Sequence, residues 1–261
     1  MDLNLKNQNI LVTGSSRGIG KGIAESFLKE HANIIITGRD EADLKKATKY
    51  FTTKYGEKKV IPFKGDLQQS PVLQMLKDCI IEKLGDLNHL VCNIGGGNSV
   101  DLLQEDTNEF KRMLDINLLN SVAIVQEMLP LLKKSACRKR FETTITLIGS
   151  ICGIEAIGCP IAYASAKSAL EAYAKNIARP LGKIGIRVNI VSPGNIIFPG
   201  STWENKLAMD RMSVESMLAK EVPLNQMGTP EDVANVVIFL ASNRAKFITG
   251  ANWVVDGGQT R

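Results

Sequence analysis

Residues 163–167 read "YASAK", a tyrosine and a lysine four positions apart. On a helix that spacing puts both side chains on one face, one turn apart. A phenol beside an ammonium is a proton donor with a cation to tune it. A free tyrosine titrates near 10, and bringing it to about 8 takes about 2.7 kcal/mol. A lysine charge about 5 Å away supplies about 3.3 kcal/mol at an effective dielectric near 20. The pair therefore predicts a Tyr163 phenol of lowered pKa. The same spacing recurs at Tyr50–Lys54 and Tyr55–Lys59, in a stretch so rich in lysine that chance accounts for it. What sets Tyr163 apart is Ser150, thirteen residues upstream, just after the apolar run "TTITLIG". Tyr55 has Ala42 at the matching place, and Tyr50 has Thr37 on an earlier run. A fixed hydroxyl such as Ser150 suits an oxygen on which charge develops.

Side chains so far apart in sequence need a scaffold that converges on them. Apolar, β-branched runs at 9–13, 33–37, 60–64, 89–93, 143–149, 186–192 and 252–256 read as buried strands. Helical patterns lie between them at about 18–31, 40–54, 70–84, 108–135, 159–181 and 230–241. This alternation predicts an α/β fold, a doubly wound (Rossmann) parallel sheet of about seven strands with helices on both faces. One domain spanning 1–261 is expected, with no repeat or linker. Segment 195–222, which holds Trp203, is a long excursion before the last strand. It reads as a substrate-binding lid, or as a helix pair packed at an edge.

At the head of the chain, "TGSSRGIG" (13–20) follows the first strand and opens the first helix. Gly14, Gly18 and Gly20 permit a tight turn and close backbone approach. The helix N-terminus then offers free N–H groups to a pyrophosphate. The second strand ends at "ITGRD", where an acidic residue would hold a ribose 2′-hydroxyl and an arginine a 2′-phosphate. Arg39 stands there, with Arg17 in the glycine turn. Asp40 complicates the choice, since a one-residue shift would bring a carboxylate to the same place. NADP(H) is favoured over NAD(H).

With these elements in order, the chain resembles the short-chain dehydrogenase/reductase family, in its compact single-domain form and nearly end to end. The resemblance rests on TGxxxGxG at 13–20, "GDL" at 65–67, the Asn-Xaa-Gly at 93–95, and Asn117 in "MLDINLLN". It continues through Ser150, Tyr163 and Lys167, "SPG" at 192–194 and "VDGG" at 255–258. Proportions are similar to those of 3-oxoacyl-[acyl-carrier-protein] reductases. The resemblance implies that Tyr163 is the general acid in carbonyl reduction and that Ser150 binds the substrate oxygen. It also implies that Lys167 holds the nicotinamide ribose and that Asn117 supports a water-linked proton path. Cofactor contacts are implied at Gly14, Ser16, Arg17, Gly18, Ile19, Gly20, Arg39, Asp66, Leu67, Asn93, Gly95, Tyr163, Lys167, Pro193, Gly194 and Ile196. A homo-oligomer, tetramer or dimer, is implied as well. The chain departs from the family pattern at Ile94, where a small alanine is usual. It departs again at Phe198, where the family often places a threonine that reaches the carboxamide.

The expected activity is hydride transfer between NADP(H) and a carbonyl or secondary alcohol, with a 3-oxoacyl thioester and a small ketone among the candidates. A non-catalytic NAD(P)-binding redox sensor is the alternative, disfavoured because the tyrosine and lysine are both present. Composition sets the outer limits: 261 residues, 44% hydrophobic, 23% charged, net charge +5. Scattered lysines without interleaved aromatics argue against nucleic acid. No apolar run approaches a membrane span, and the N-terminus reads without a signal peptide, so a cytoplasmic location is expected. The five cysteines show no zinc-type spacing, and no metal is expected. They read as buried or incidental thiols of a reducing compartment, with Cys152 and Cys159 lining a pocket. Neither His31 nor His89 reads as a ligand.

Overall fold

The computed structural model describes residues 2–138 and 142–261. Seven strands form one parallel sheet: β1 (Asn9–Val12), β2 (Asn33–Gly38), β3 (Val60–Lys64), β4 (His89–Cys92), β5 (Thr143–Ile148), β6 (Ile186–Pro193) and β7 (Asn252–Val255). Their order is β3-β2-β1-β4-β5-β6-β7. The central strands are buried on both faces, which is why they read as continuous apolar runs. The direction of winding reverses between β1 and β4. That reversal opens a crevice at the carboxyl ends of the strands, where ligands of such sheets bind.

Helices cover both faces: α1 (Gly18–Lys29), α2 (Glu41–Tyr55), α3 (Ser70–Lys83), α4 (Thr107–Leu114), α5 (Asn120–Arg138), α6 (Ile161–Lys183), α7 (Thr202–Met209), α8 (Arg211–Glu221) and α9 (Pro230–Ala241). Two apolar layers result. One packs α1, α2 and α9 on the sheet through Phe27, Phe51, Val237 and Leu240, and the other packs α3, α5 and α6 through Leu76, Ile124, Met128 and Leu170. The start of α9 is fixed by a capping box in which Thr229 and Asp232 satisfy each other's backbone N–H groups, with Pro230 in the first turn. No helix among the described residues is long and apolar enough to cross a membrane.

Two differences from the sequence reading are informative. The helix expected over 108–135 is split by a π-helical turn at Asp115–Leu119, which carries Asn117. The extra residue in that turn rotates Asn117 into the interior, where it is fully buried. Segment 195–222 holds two helices, α7 and α8, in keeping with the helix pair, one of its two readings. Cys152 and Cys159 form a disulfide, whereas Cys79, Cys92 and Cys137 are free. The reading of all five as incidental thiols is therefore corrected for this pair. Their Cα atoms lie 5.9 Å apart, within bridging reach, because the chain doubles back over seven residues.

Arg187 on β6 is a charged side chain deep in the core. Its guanidinium donates to the carbonyls of Ile248, Ala241 and Ser242, the last two at the end of α9. Burial lowers its pKa to about 10. It also faces His89, whose own pKa burial and this neighbour push down to about 3. Arg187→Met would keep the volume and strand those carbonyls. The expected loss is about 3 kcal/mol, or roughly 6–12 °C in melting temperature followed by circular dichroism. An unchanged melting temperature would show that the carbonyls need no charged donor.

Candidate active site

Along one side of the crevice lies a cleft of about 740 Å³, lined by Gly14, Ser16, Arg17, Arg39, Asp66, Leu67 and Asn93 among others. The glycine turn builds its floor. Gly14 and Gly18 have φ of +63° and +57°, which only glycine adopts cheaply. A Cβ on Gly20 would stand 2.4 Å from the Gly14 carbonyl oxygen and 2.5 Å from Asn93 Nδ2. Asn93 braces this turn, with Nδ2 donating to the carbonyls of Thr13 (3.0 Å) and Gly14 (3.1 Å). Its side chain is thus spent on the turn itself. Helix α1 begins with no side-chain cap and no acidic residue in its first turn. Its first N–H groups are left without a side-chain acceptor, next to Ser16 and Arg17 of the cleft.

At the end of β2 one of the two candidate residues is engaged by α2. Asp40 is that helix's N-cap, its carboxylate accepting from the Asp43 N–H at 2.8 Å. Arg39 is left at the strand end, exposed, and Arg17 is exposed beside it. Among the described residues no carboxylate pairs with either arginine. The cleft offers a glycine cradle, an uncapped helix start and, among the described residues, two guanidinium groups without a carboxylate partner, features that suit a nicotinamide dinucleotide.

A second cavity, of about 1010 Å³, continues from the first, sharing Asn93 and Gly95. Ser150, Tyr163, Lys167, Pro193, Gly194 and Ile196 line it, with Phe198, Trp203 and Lys206 on the side of α7. Lys167 is 4% exposed, and its Nζ donates to the Ile148 carbonyl, the last residue of β5, at 2.9 Å. Ser150 follows two residues later, its Oγ accepting from the Cys152 N–H at 3.2 Å. Tyr163 lies one turn before Lys167 on α6, with the ammonium 5.8 Å from the ring centre. Small Ala162 and Ala166 on the same helix let it pack on Met113 of α4.

Asn117 reaches this group from the π-turn. Its Nδ2 donates to the carbonyls of Gly96 (3.1 Å) and Met113 (3.2 Å), while the Gly96 N–H donates to its Oδ1 at 3.0 Å. That pairing clamps the loop after β4 over the site. Only glycine fits at position 95, where a Cβ would lie 2.8 Å from Asn117 Oδ1 and 3.1 Å from Lys167 Nζ. Gly95 is thus the point at which the backbone approaches Asn117 and Lys167 most tightly, while a Cβ on Gly97 would make ordinary contact with the Tyr163 ring at 3.5 Å.

The electrostatics differ from the simple phenol–ammonium pair. Burial raises the Tyr163 pKa above its ordinary value, and a hydrogen bond with Ser150 pulls it part of the way back. Burial also lowers Lys167 to about 8. The expected lowering of the tyrosine is not realised in the protein alone, because desolvation outweighs a cation that is itself weakened and turned toward Ile148. The other tyrosines have separate fates. Tyr50 and Tyr55 both donate to Glu25 Oε1, which Lys54 also holds, and Lys59 is bound to Asn7, His31 and Asn33. That cluster is a surface tie between α1 and α2, away from either cavity.

Both departures from the family pattern have a structural account. Ile94 packs on Gly14, 3.1 Å from where a Cβ there would stand. Phe198 lays its ring on Gly18 at 2.8 Å from the corresponding position. Ser201 accepts from the N–H groups of Phe198 and Glu204, so its hydroxyl caps α7. Glu155 and Arg261 also line the second cavity. Sequence reasoning missed them, because Arg261 N–H meets Glu155 across 106 residues and no local pattern signals that contact.

A family model described as enoyl-(acyl carrier protein) reductase matches residues 14–260. The chain belongs to the short-chain dehydrogenase/reductase family. It is an oxidoreductase of that family with the expected Rossmann sheet. The rhamnolipids biosynthesis 3-oxoacyl-[acyl-carrier-protein] reductase of Pseudomonas aeruginosa is 32% identical, over 98% of this chain and 97% of that one. The L-sorbose reductase of Gluconobacter frateurii, solved with NADPH and L-sorbose, superposes with a TM-score of 0.91 at 26% identity, covering 100% and 99% of the two chains. A 7α-hydroxysteroid dehydrogenase, solved with NADH and 7-oxo glycochenodeoxycholic acid, superposes at 0.88 with 26% identity, covering 98% and 96%. Similar folds thus hold either nicotinamide cofactor.

The buried lysine has a consequence for stability. Its pKa falls from 10.5 to about 8 on folding. Below pH 8 it is charged in both states, and the fold bears the full cost of about 3 kcal/mol. As pH rises from 8 to 10.5 the folded lysine deprotonates first and the cost fades. Lys167→Met removes the charge and forfeits one hydrogen bond worth about 1 kcal/mol. A net gain of about 2 kcal/mol, or roughly 5 °C, is expected at pH 7, shrinking toward pH 10 in thermal melts. A variant less stable than the parent at pH 7 would contradict this balance.

Proposed function

We propose that the protein transfers hydride between NADP(H) and a carbonyl or secondary alcohol. The observation that carries the proposal is the convergence of Ser150, Tyr163 and Lys167 in one cavity that runs directly on from the glycine-turn cleft. Arg17 and Arg39 would hold the 2′-phosphate, the start of α1 the pyrophosphate, and Lys167 the nicotinamide ribose. Bound there, the nicotinamide supplies the hydride. The protein supplies the rest. Ser150 Oγ donates a hydrogen bond to the substrate oxygen as negative charge builds on it. Tyr163 Oη delivers the proton to that oxygen, and its raised pKa keeps it protonated through neutral pH. Asn117 acts as a positioning residue by fixing the 95–97 loop beside Lys167.

The size of the second cavity accommodates more than a small ketone. Its lining mixes Ile157, Trp203 and Met217 with Glu155, Lys206 and Arg261. A 3-oxoacyl thioester and a hydroxylated ketone, as in the reductases described above, are the leading substrate classes. The two directions should differ in pH dependence. Reduction uses the neutral phenol and should hold steady through neutral pH, whereas alcohol oxidation needs the phenolate and should climb toward alkaline pH.

A panel of 3-oxoacyl, small-ketone and ketose substrates followed by NADPH absorbance tests the reading. Tyr163→Phe should lower kcat by about 10²- to 10⁴-fold while NADPH binding, read by fluorescence, is retained. Full activity in that variant would overturn the mechanism. Arg39→Ala should weaken NADPH about tenfold and leave NADH nearly unchanged. A parent protein that prefers NADH would overturn the cofactor choice.

A further inference from the structure

Between Ser150 and Tyr163 the chain makes an excursion with its own covalent closure. Ile151–Gly153 forms a single 3-10 turn packed hard on α6. A Cβ on Gly153 would stand 2.7 Å from the backbone of Lys167 and Ser168. This end is therefore anchored, and the Cys152 N–H is bonded to Ser150 Oγ. Beyond it the backbone bonds are local: the N–H groups of Ile154 and Glu155 both donate to the Ile151 carbonyl, and that of Ile157 to Glu155. Gly158 turns the chain back with φ +79° and nothing packed on it. Cys159 then meets Cys152, and Pro160 leads into the helix that carries Tyr163. Residues 154–158 so form a small ring on the rim of the second cavity, and both cysteines line that cavity.

We infer that the Cys152–Cys159 disulfide is a specificity-determining staple, closing the 154–158 rim over the substrate cavity when oxidised and releasing it when reduced. The inference rests on reading the second cavity as the substrate site. Both sulfur-bearing residues are partly exposed to the cavity, so a small thiol can reach them. The reducing partner is a dithiol. Its thiolate attacks one sulfur, the Cys152–Cys159 bond breaks, and a mixed disulfide forms. The partner's second thiol closes its own disulfide and leaves. Two electrons and two protons pass to the protein, which ends with two thiols. Gly153 stays packed on α6 and Ser150 stays just past the end of β5, so the catalytic hydroxyls keep their places. What loosens is the stretch from Ile154 to Cys159, whose remaining ties are the local bonds and the Glu155 carboxylate that accepts from Arg261 N–H. Reduction is therefore expected to act on which substrates enter, more than on turnover.

The test uses the full chain, oxidised with glutathione disulfide or reduced with dithiothreitol. Alkylation and peptide mass mapping should find Cys152 and Cys159 joined in the first state and both modified in the second. A protease that cuts after glutamate should cleave at Glu155 at least tenfold faster after reduction, with cleavage elsewhere unchanged. For a bulky 3-oxoacyl substrate KM should change at least fivefold between the two states, while kcat and the NADPH affinity change less than twofold. Cys159→Ser should behave as the reduced state under both treatments. Failure of the two cysteines to join under oxidation, equal cleavage at Glu155, or equal KM in the two states would each overturn the inference. Absence of turnover in either state would count against the proposed reaction, and the mapping and cleavage would then decide the staple by themselves.

Discussion

A single buried contact organises the site: the Lys167 ammonium against the carbonyl of Ile148. It ties α6 to the end of β5 at the level where Ser150 leaves the strand. Because Tyr163 lies one turn before Lys167, the same contact fixes the phenol relative to the serine. The ammonium also limits what can stand above it. Gly95 is there because any larger residue would press on Lys167 and on Asn117. Gly95 after β4, the π-turn that aims Asn117 inward, and the start of α6 all accommodate one buried cation.

Burying a cation without a carboxylate partner is unfavourable, and the lowered pKa of Lys167 measures that cost. The surrounding core is extensive enough to sustain it. Similar reasoning separates Lys167 from Lys54, which has the same offset from a tyrosine. Lys54 finds a carboxylate at 2.8 Å on the surface, where the pair is solvated and structural. Spacing alone made these two lysines equivalent. Their difference lies in burial: among the described residues Lys167 has no carboxylate partner, and it is only 4% exposed. A site left short of charge in this way is suited to receive a ligand that provides it.

The fold was legible because its signals are local. Each strand announces itself as an apolar run, and the glycine turn joins the first such run to the first helix within eight residues. Boundaries came within about three residues for most elements. The exception, the break at Asp115–Leu119, depends on a contact between Asn117 and Gly96 that no periodicity encodes. Arg39 was legible as a cation at the end of β2, whereas the part played by Asp40 was not. A helix cap and a ribose ligand look alike in sequence, and the 2.8 Å bond to Asp43 shows that Asp40 serves as the cap.

The electrostatic expectation for Tyr163 erred for an instructive reason. It considered one charge at one distance and left out burial, which acts on the tyrosine and the lysine together and in opposite directions. Sequence spacing can estimate a pairwise attraction but not the depth at which the pair sits. The cysteines repeat the point. Seven residues apart in sequence, they could lie two turns apart on one face of a helix or at the two feet of a loop. Gly158 in the left-handed region and Gly153 pressed on α6 bring the feet together. The rim that results joins Ser150 to Tyr163 by a second covalent route, so the residues that do the chemistry and those that admit the substrate belong to one short, closed stretch of chain.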